Sequence, residues 1–264
     1  MLEQQPLSPR GLPPDFNLGK LLAMSSEIND GQLPAAVEAA DKLRDLIEID
    51  PKTGLYKQEA LLACLSRSIE DLSPEDSLVF YVADLDGFKS VNDALGHSGG
   101  DRLLAVVAQA FRSAFARSSD IITHGSREND KNGAIARLGG DEFAVYELSK
   151  TDDFGDDKRA KDLEDKPAIQ AKRVNEQLLE LIAGTEFAGF DIKLSIGSTT
   201  FTPGQTAEEL FAVADQEMFK VKYAGKIEQI SEEDKRQLLW IIPFLEAKQH
   251  RVEPWLRVAA GLPR

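Results

Sequence analysis

Cysteine occurs once in the 264 residues, at Cys64. That excludes an intrachain disulfide and a thiolate metal site, and a reducing compartment, the cytoplasm, is the expected location. Basic residues are in deficit, with 31 Lys and Arg against 45 Asp and Glu for a formal net charge of −14. Such a balance argues against non-specific binding to nucleic acid or to an anionic membrane. It leaves room for a phosphorylated substrate, because a metal ion and a few placed lysines offset charge locally. No apolar run approaches the roughly 20 residues of a membrane helix, so no membrane insertion is expected. The opening MLEQQPLSPRGLPPDF lacks the apolar core of a secretory signal. A hydrophobic content of 42% fits one large globular domain with appendages.

Along the chain, residues 1–18 are rich in Pro, Gly and Gln and read as loosely attached. Leu33, Ala36, Val37, Ala40, Leu43 and Leu46 then recur at helical steps. After the turn PKTGL, a helix over 57–71 carries Leu61, Leu62, Leu65 and Ile69 on one face. SLVFYVADLDGF reads as a strand buried on both faces. An amphipathic helix spans 100–116, and a hairpin spans about 134–147. The polar stretch 121–133 and the charged stretch 150–166 read as insertions, the latter solvated. A helix near 168–183, a strand over 190–200 and a helix over 206–224 with a Thr206–Glu209 capping box follow. In the tail, Ser231 caps a further helix that Pro243 kinks or ends, and Trp240 and Trp255 cover the domain surface. The order α-β-α-β-β-α-β-α predicts an α+β fold with a mixed sheet.

Two segments concentrate carboxylates. RLGGDEFAVY (137–146) places Gly139, Gly140, Asp141 and Glu142 at the tip of the hairpin. The glycines permit unusual backbone angles and close approach of a ligand, and the acids offer oxygen donors to a hard cation. ADLDGFKSVNDALGHSGGD (83–101) sets Asp84 and Asp86 two apart where a buried strand runs out, so both leave on one side. Two like charges leaving an apolar strand are costly without a cation or hydrogen bonds. If the strands are neighbours, three or more carboxylates with no imidazole would meet, which suits Mg²⁺ or Mn²⁺ rather than zinc. Lys89, at the following strand–helix junction, suits a phosphate. The blander alternatives are a solvated turn and an acid pair that caps the next helix.

Four segments in order, D-x-D-x-F-K-x-x-N-D-x-x-G-H-x-x-G-D (84–101), RLGGDEF (137–143), SIG (195–197) and ADQEMFKVKYAGK (214–226), together with DPKTGL (50–55), resemble the GGDEF domain of diguanylate cyclases. The resemblance implies a palm-like domain with a central, mostly antiparallel sheet flanked by helices, as in nucleotide cyclases and polymerases, over residues 49–227. Residues 1–48 would be an N-terminal extension and 228–264 a helical tail. It implies condensation of two GTP into cyclic di-GMP with release of pyrophosphate, dependent on Mg²⁺ or Mn²⁺. One domain would hold one GTP, so activity implies a homodimer. The implied metal ligands are Asp84, the Leu85 carbonyl and Asp141, with Asp86 in the same cluster. Asp141 would assist deprotonation, and Glu142 would lie beside the nucleotide. Gly139 and Gly140 would admit the phosphates, Lys89, Lys222 and Lys226 would bind them, and Asn92 and Asp101 would read guanine. Lys222 and Lys226, four apart on the last helix, would face one way. The alternative is an inactive GGDEF module that binds GTP or cyclic di-GMP as a signalling scaffold.

The sequence also departs from the family pattern. Gly133 and Asp130 stand where members carry the Asp and Arg of an inhibitory R-x-x-D site. An R-S-S-D occurs instead at Arg117–Asp120. Either the loop 121–133 is an insertion that leaves this pair near its usual place, or the feedback site is lost and Arg117 and Asp120 cap a helix end. Lys226 replaces a common arginine, exchanging a fork for a point charge.

Overall fold

The structure, a computed structural model, describes residues 47–115, 132–149, 156–248 and 251–262, with backbone alone for 156–164. The chain divides into two compact units, 1–47 and 48–264, and every element below belongs to the second. Arg117 and Asp120 lie outside the described residues, as do most of the helix expected over 19–48, of which only residues 47 and 48 are described, and most of the 121–133 loop.

The strands are β1 (Tyr56–Lys57), β2 (Ser77–Asp86), β3 (Gly133–Gly139), β4 (Glu142–Ser149) and β5 (Lys193–Thr200). They form one sheet in the order β1-β3-β4-β2-β5, in which only the β1–β3 pair is parallel. The helices are α1 (Gln58–Glu70), α2 (Phe88–Phe115), α3 (Asp156–Ile182), α4 (Ala207–Lys222), α5 (Ala224–Ile227), α6 (Glu232–Ala247) and α7 (Pro254–Ala259). The fold is therefore α+β, a mixed, mainly antiparallel sheet with helices on both faces.

Strand β2 explains the two-sided core. Its side chains alternate between faces, and both faces are apolar. Val79, Tyr81, Ala83 and Leu85 pack with Ile135, Phe143 and Val145 against α2 and α3. Leu78, Phe80 and Val82 pack with Ala144 and Tyr146 against α1 and α4. Asp84 and Asp86 share the parity of Leu78, Phe80 and Val82, so they emerge on the face that α4 covers.

How closely α4 covers that face is set by Gly197, in the SIG segment. A Cβ there would lie 1.8 Å from the Met218 backbone nitrogen and 2.5 Å from the Ala214 carbonyl oxygen. Helix and strand meet backbone to backbone, which only glycine allows. Thr206 caps α4 as predicted, accepting from the Glu209 N–H at 3.2 Å while the Glu209 carboxylate accepts from the Thr206 N–H at 3.0 Å.

Several expectations are corrected. Of the charged stretch 150–166, residues 150–155 lie outside the described residues and 156–166 form the first turns of α3, which begins earlier than the helix expected near 168. Lys166 turns inward, donating to Ser149 Oγ at 2.5 Å and standing 3.2 Å from Glu147 Oε2. The cause is Glu147, whose carboxylate is fully buried on β4 and needs a compensating charge. Pro243 does not end α6, which runs on to Ala247; the residue whose carbonyl it leaves unpaired, Leu239, is exposed to water. Trp240 is 81% exposed, whereas Trp255 packs against the core beside α4. Among the described residues no helix is long and apolar enough to cross a membrane.

Candidate active site

The hairpin tip is a tight connection between β3 and β4. Gly139 pairs with Glu142, leaving Gly140 and Asp141 as the turn. Arg137 braces it, donating to the Gly140 carbonyl through Nε (3.1 Å) and Nη2 (2.7 Å). Its Nη1 reaches Asp50 Oδ2 at 3.0 Å. Asp50 in turn organises its own loop: Oδ1 accepts from the Thr53 N–H at 2.9 Å, Thr53 Oγ1 at 2.7 Å and the Lys52 N–H at 3.2 Å. This is an Asx turn, in which a short carboxylate replaces a backbone acceptor.

Strands β2 and β4 are neighbours, as the acidic constellation requires. Asp84 pairs across the ladder with Glu142 on one side and Ser195 on the other. The Leu85 N–H donates to the Asp141 carbonyl at 3.1 Å, tying the turn to the end of β2. Burial pushes the Asp141 carboxyl above its usual range and the Asp84 charge pushes it further, with Lys222 and Arg137 among the offsets. Lys222, the last residue of α4, donates to Asp84 Oδ1 at 2.5 Å. Burial alone would lower this ammonium. The hydrogen bond to Asp84 and the charges of Asp84 and Asp86 outweigh it, so Lys222 sits above the usual lysine value.

The expected gathering of three or more carboxylates is not found. Among the described residues no three Asp, Glu, His or Cys side chains stand together as a metal-ligand group. Asp86 accepts a 2.6 Å hydrogen bond from Ser195 Oγ. The remaining donor set, two coupled carboxylates with only oxygen ligands, suits Mg²⁺ or Mn²⁺, which bind through one or two carboxylates together with water and substrate phosphate.

A second cluster forms beside α2. The helix breaks at Gly96 (φ 71°, ψ 174°), which folds its two halves so that Asn92 lies against Gly100. A Cβ at Gly100 would fall 2.0 Å from Asn92 Oδ1. Asn92 thus packs against Gly100, the residue before Asp101, and Asp101 Oδ1 accepts from Lys52 Nζ at 2.7 Å. Lys89 is exposed on the first turn of α2 and His97 is exposed near the break.

Lys222 and Lys226 do not lie on one continuous helix. Tyr223 (φ −110°, ψ 13°) separates α4 from α5. Lys222 turns to Asp84, whereas Lys226 stands over the rings of Tyr223 (5.3 Å) and Trp255 (5.5 Å). The bracing roles of Asp50, Arg137 and Ser195, and the contacts of Lys52 and Trp255, depend on residues distant in the chain and follow from no motif in the sequence. The D-x-x-T spacing of an Asx turn was the one local signal.

A mixed, mainly antiparallel sheet with helices on both faces, carrying Asp84 near the end of the inner strand β2 and Asp141 in the adjoining turn, defines the class as an α+β domain with an acidic site at its strand ends. Comparison with known proteins makes the family specific: residues 47–228 match the profile of the GGDEF domain, diguanylate cyclase. The chain belongs to the GGDEF family. It is 31% identical over 192 residues to an uncharacterized signaling protein of Caulobacter vibrioides, covering 71% of this chain and 20% of that one. It is 27% identical over 215 residues to the diguanylate cyclase DgcP of Pseudomonas aeruginosa, covering 79% of this chain and 28% of that one. The chain thus spans 20% and 28% of the length of these two relatives. The crystal structure of the diguanylate cyclase SiaD from Pseudomonas aeruginosa, in complex with its activator SiaC, superposes with a TM-score of 0.51 at 26% identity, over 78% of this chain and 70% of that one.

Proposed function

We propose that this chain is an active diguanylate cyclase that condenses two GTP into cyclic di-GMP and releases pyrophosphate. The observation that carries the reading is the adjacency of Asp84 and Asp141, 57 positions apart: the Leu85 N–H next to Asp84 donates to the Asp141 carbonyl at 3.1 Å, and Lys222 donates to Asp84. Members of the GGDEF family with this activity use a divalent metal, and the donor set here fits one. Asp84, Asp141 and the Leu85 carbonyl would hold Mg²⁺ or Mn²⁺. Such an ion supplies Lewis-acid polarisation and neutralises charge building on the reacting phosphate.

The chain's own residues do the rest. Lys222 exchanges Asp84 for a phosphate oxygen when nucleotide arrives, and Lys89 and Lys226 add positive charge along the polyphosphate. Gly139 and Gly140, without side chains, leave the turn backbone open to the phosphates. Asn92 and Asp101 read guanine: a carboxylate accepts from N1–H and the 2-amino group, whereas adenine would present an acceptor at N1. Glu142 lies beside the nucleotide, and an Asp141 carboxylate oxygen draws the proton from the attacking 3′-hydroxyl. Two such half-sites complete the ring, so the active species is a homodimer, in keeping with a cytoplasmic signalling enzyme. Residues 49–227 form the cyclase domain, with 1–48 and 228–264 as extensions.

A non-catalytic module that binds GTP or cyclic di-GMP is the second reading, favoured by the presence of two rather than three gathered acids. Incubating the purified chain with GTP and Mg²⁺ and resolving products by chromatography decides between them. Cyclic di-GMP should form, Asp141→Ala should abolish it, and Asp101→Ser should relax base choice. Product that forms without a divalent ion, or survives Asp141→Ala, would overturn the mechanism.

A further inference from the structure

Lys52 stands outside every role assigned above, yet its ammonium lies 2.7 Å from the carboxylate assigned to read guanine. Resting on that assignment, we propose that Lys52 is a second base-reading residue, donating to guanine O6 while Asp101 accepts from N1–H and the 2-amino group.

The first support is how Lys52 is presented. Its backbone is fixed by the Asx turn of Asp50, whose other oxygen is held by Arg137. The next residue is pinned from the far side, because Arg112 Nη2 donates to the Thr53 carbonyl at 2.8 Å. A lysine stem rising from a turn tied to both α2 and β3 starts from a fixed point, which reduces the freedom lost when its head engages a ligand. An exposed ion pair by itself contributes little to stability, so folding gives this contact no strong purpose.

The second support is the match of donors and acceptors. The pairing edge of guanine runs acceptor, donor, donor: O6, N1–H and the 2-amino group. A carboxylate alone satisfies the two donors and leaves O6 facing whatever lies beside the oxygen that takes N1–H. An ammonium hydrogen-bonded to that carboxylate occupies this place. It spends one of its three protons on Asp101 and has two left. Adenine carries an amino group at C6, so the ammonium would meet a donor while Asp101 met an acceptor. Lys52 and Asp101 thereby read the edge from both ends. A site built to hydrogen-bond a group rejects analogues lacking it far more strongly than an apolar pocket does.

The test uses the full chain with Mg²⁺ and the α,β-methylene triphosphates of guanosine, inosine and 6-thioguanosine, whose bridging carbon blocks pyrophosphate release, so that dissociation constants are read by calorimetry. Inosine lacks the 2-amino group, and 6-thioguanosine replaces O6 by a weak acceptor. Lys52→Met should weaken the guanosine ligand about tenfold, the cost of a hydrogen bond to a charged group. It should also erase the preference for guanosine over 6-thioguanosine and leave the preference over inosine intact. Lys52→Arg should restore much of the loss. If Lys52→Met binds guanosine as tightly as the parent or more tightly, Lys52 is only a counterion that the base displaces, and the proposal fails. It also fails if the 6-thioguanosine penalty persists in that variant. If instead Asp101→Ser leaves affinity and the inosine preference unchanged, the guanine assignment itself is at fault. Lys52 is exposed, so an unchanged melting temperature for Lys52→Met separates these outcomes from misfolding.

Discussion

Arg137 and Asp50, 87 residues apart, meet through Nη1 and Oδ2 at 3.0 Å, with both side chains largely sheltered from water. One guanidinium holds two loops, since its other nitrogens carry the Gly140 carbonyl next to Asp141. Removing one partner of a sheltered pair leaves the other charge uncompensated, at a cost of about 3 kcal/mol. Arg137→Ala should therefore lower unfolding free energy in urea by about that amount. It should also reduce turnover more than tenfold by loosening the turn that carries Asp141. A variant with full activity and unchanged midpoint would show that the brace is idle.

Lys222 and an incoming cation compete for Asp84, because the ammonium already occupies Oδ1 at 2.5 Å. Without nucleotide, Lys222→Ala should bind Mn²⁺ more tightly than the parent, and with nucleotide it should show a raised KM for GTP. Calorimetry with Mn²⁺ alone reads the first effect, and steady-state kinetics reads the second. Weaker Mn²⁺ binding by Lys222→Ala would contradict the competition.

Gly197 sets the seat of α4 and hence the position of Lys222. Gly197→Ala places a methyl group where the Met218 backbone nitrogen would be 1.8 Å away. Overpacking of this kind costs about 1–3 kcal/mol, and the helix must move off the sheet. Stability and GTP affinity should fall together in this variant. The conservative Val213→Ala, on the partly exposed side of the same helix, should change neither by more than about 0.5 kcal/mol.

Tyr81 donates to the buried Glu147 carboxylate at 2.7 Å. Burial first, and then the Glu147 charge and hydrogen bond, push its phenol far above the ordinary value of 10.0. The folded chain keeps this proton where the unfolded chain loses it. The contribution is thus complete below pH 10 and declines as pH rises past that point. Tyr81→Phe should cost about 1–3 kcal/mol at neutral pH. Its deficit against the parent should shrink between pH 10 and 11.5 in denaturant melts. A deficit that stays constant across that range would contradict the assignment.

Lys226, over Tyr223 and Trp255, is held partly by a helix beyond the matched family region. Releasing it should favour phosphate. Trp255→Leu should lower the KM for GTP about two- to threefold, the scale of an exposed cation–π contact. It should do nothing in a Lys226→Ala background. An equal effect in both backgrounds would assign Trp255 to packing alone.

Much was legible from local pattern. The unbroken apolar run of β2 announced a strand covered on both faces, and Thr206 and Glu209 announced the start of α4. The α+β order and the acidic ends of β2 and the β3–β4 turn also followed from the residues alone, because alternation and capping are decided over a few neighbours. The length of α3 was missed because its charged first turns look like solvated loop. What recruits Lys166 is a buried acid on a different strand, which no local window contains.

The residues by themselves determined the parts: a mixed sheet with helices, a glycine turn bearing Asp141, and a strand ending in Asp84. Only the packed fold decided which of those acids share a field, that Lys222 and Lys226 part company at Tyr223, and that Lys52 reaches Asp101 from 49 positions away. Side-chain alternation and caps depend on sequence neighbours, whereas the pairing of charges depends on how closely helices seat on a sheet, and at Gly197 that is a matter of a single missing methyl group.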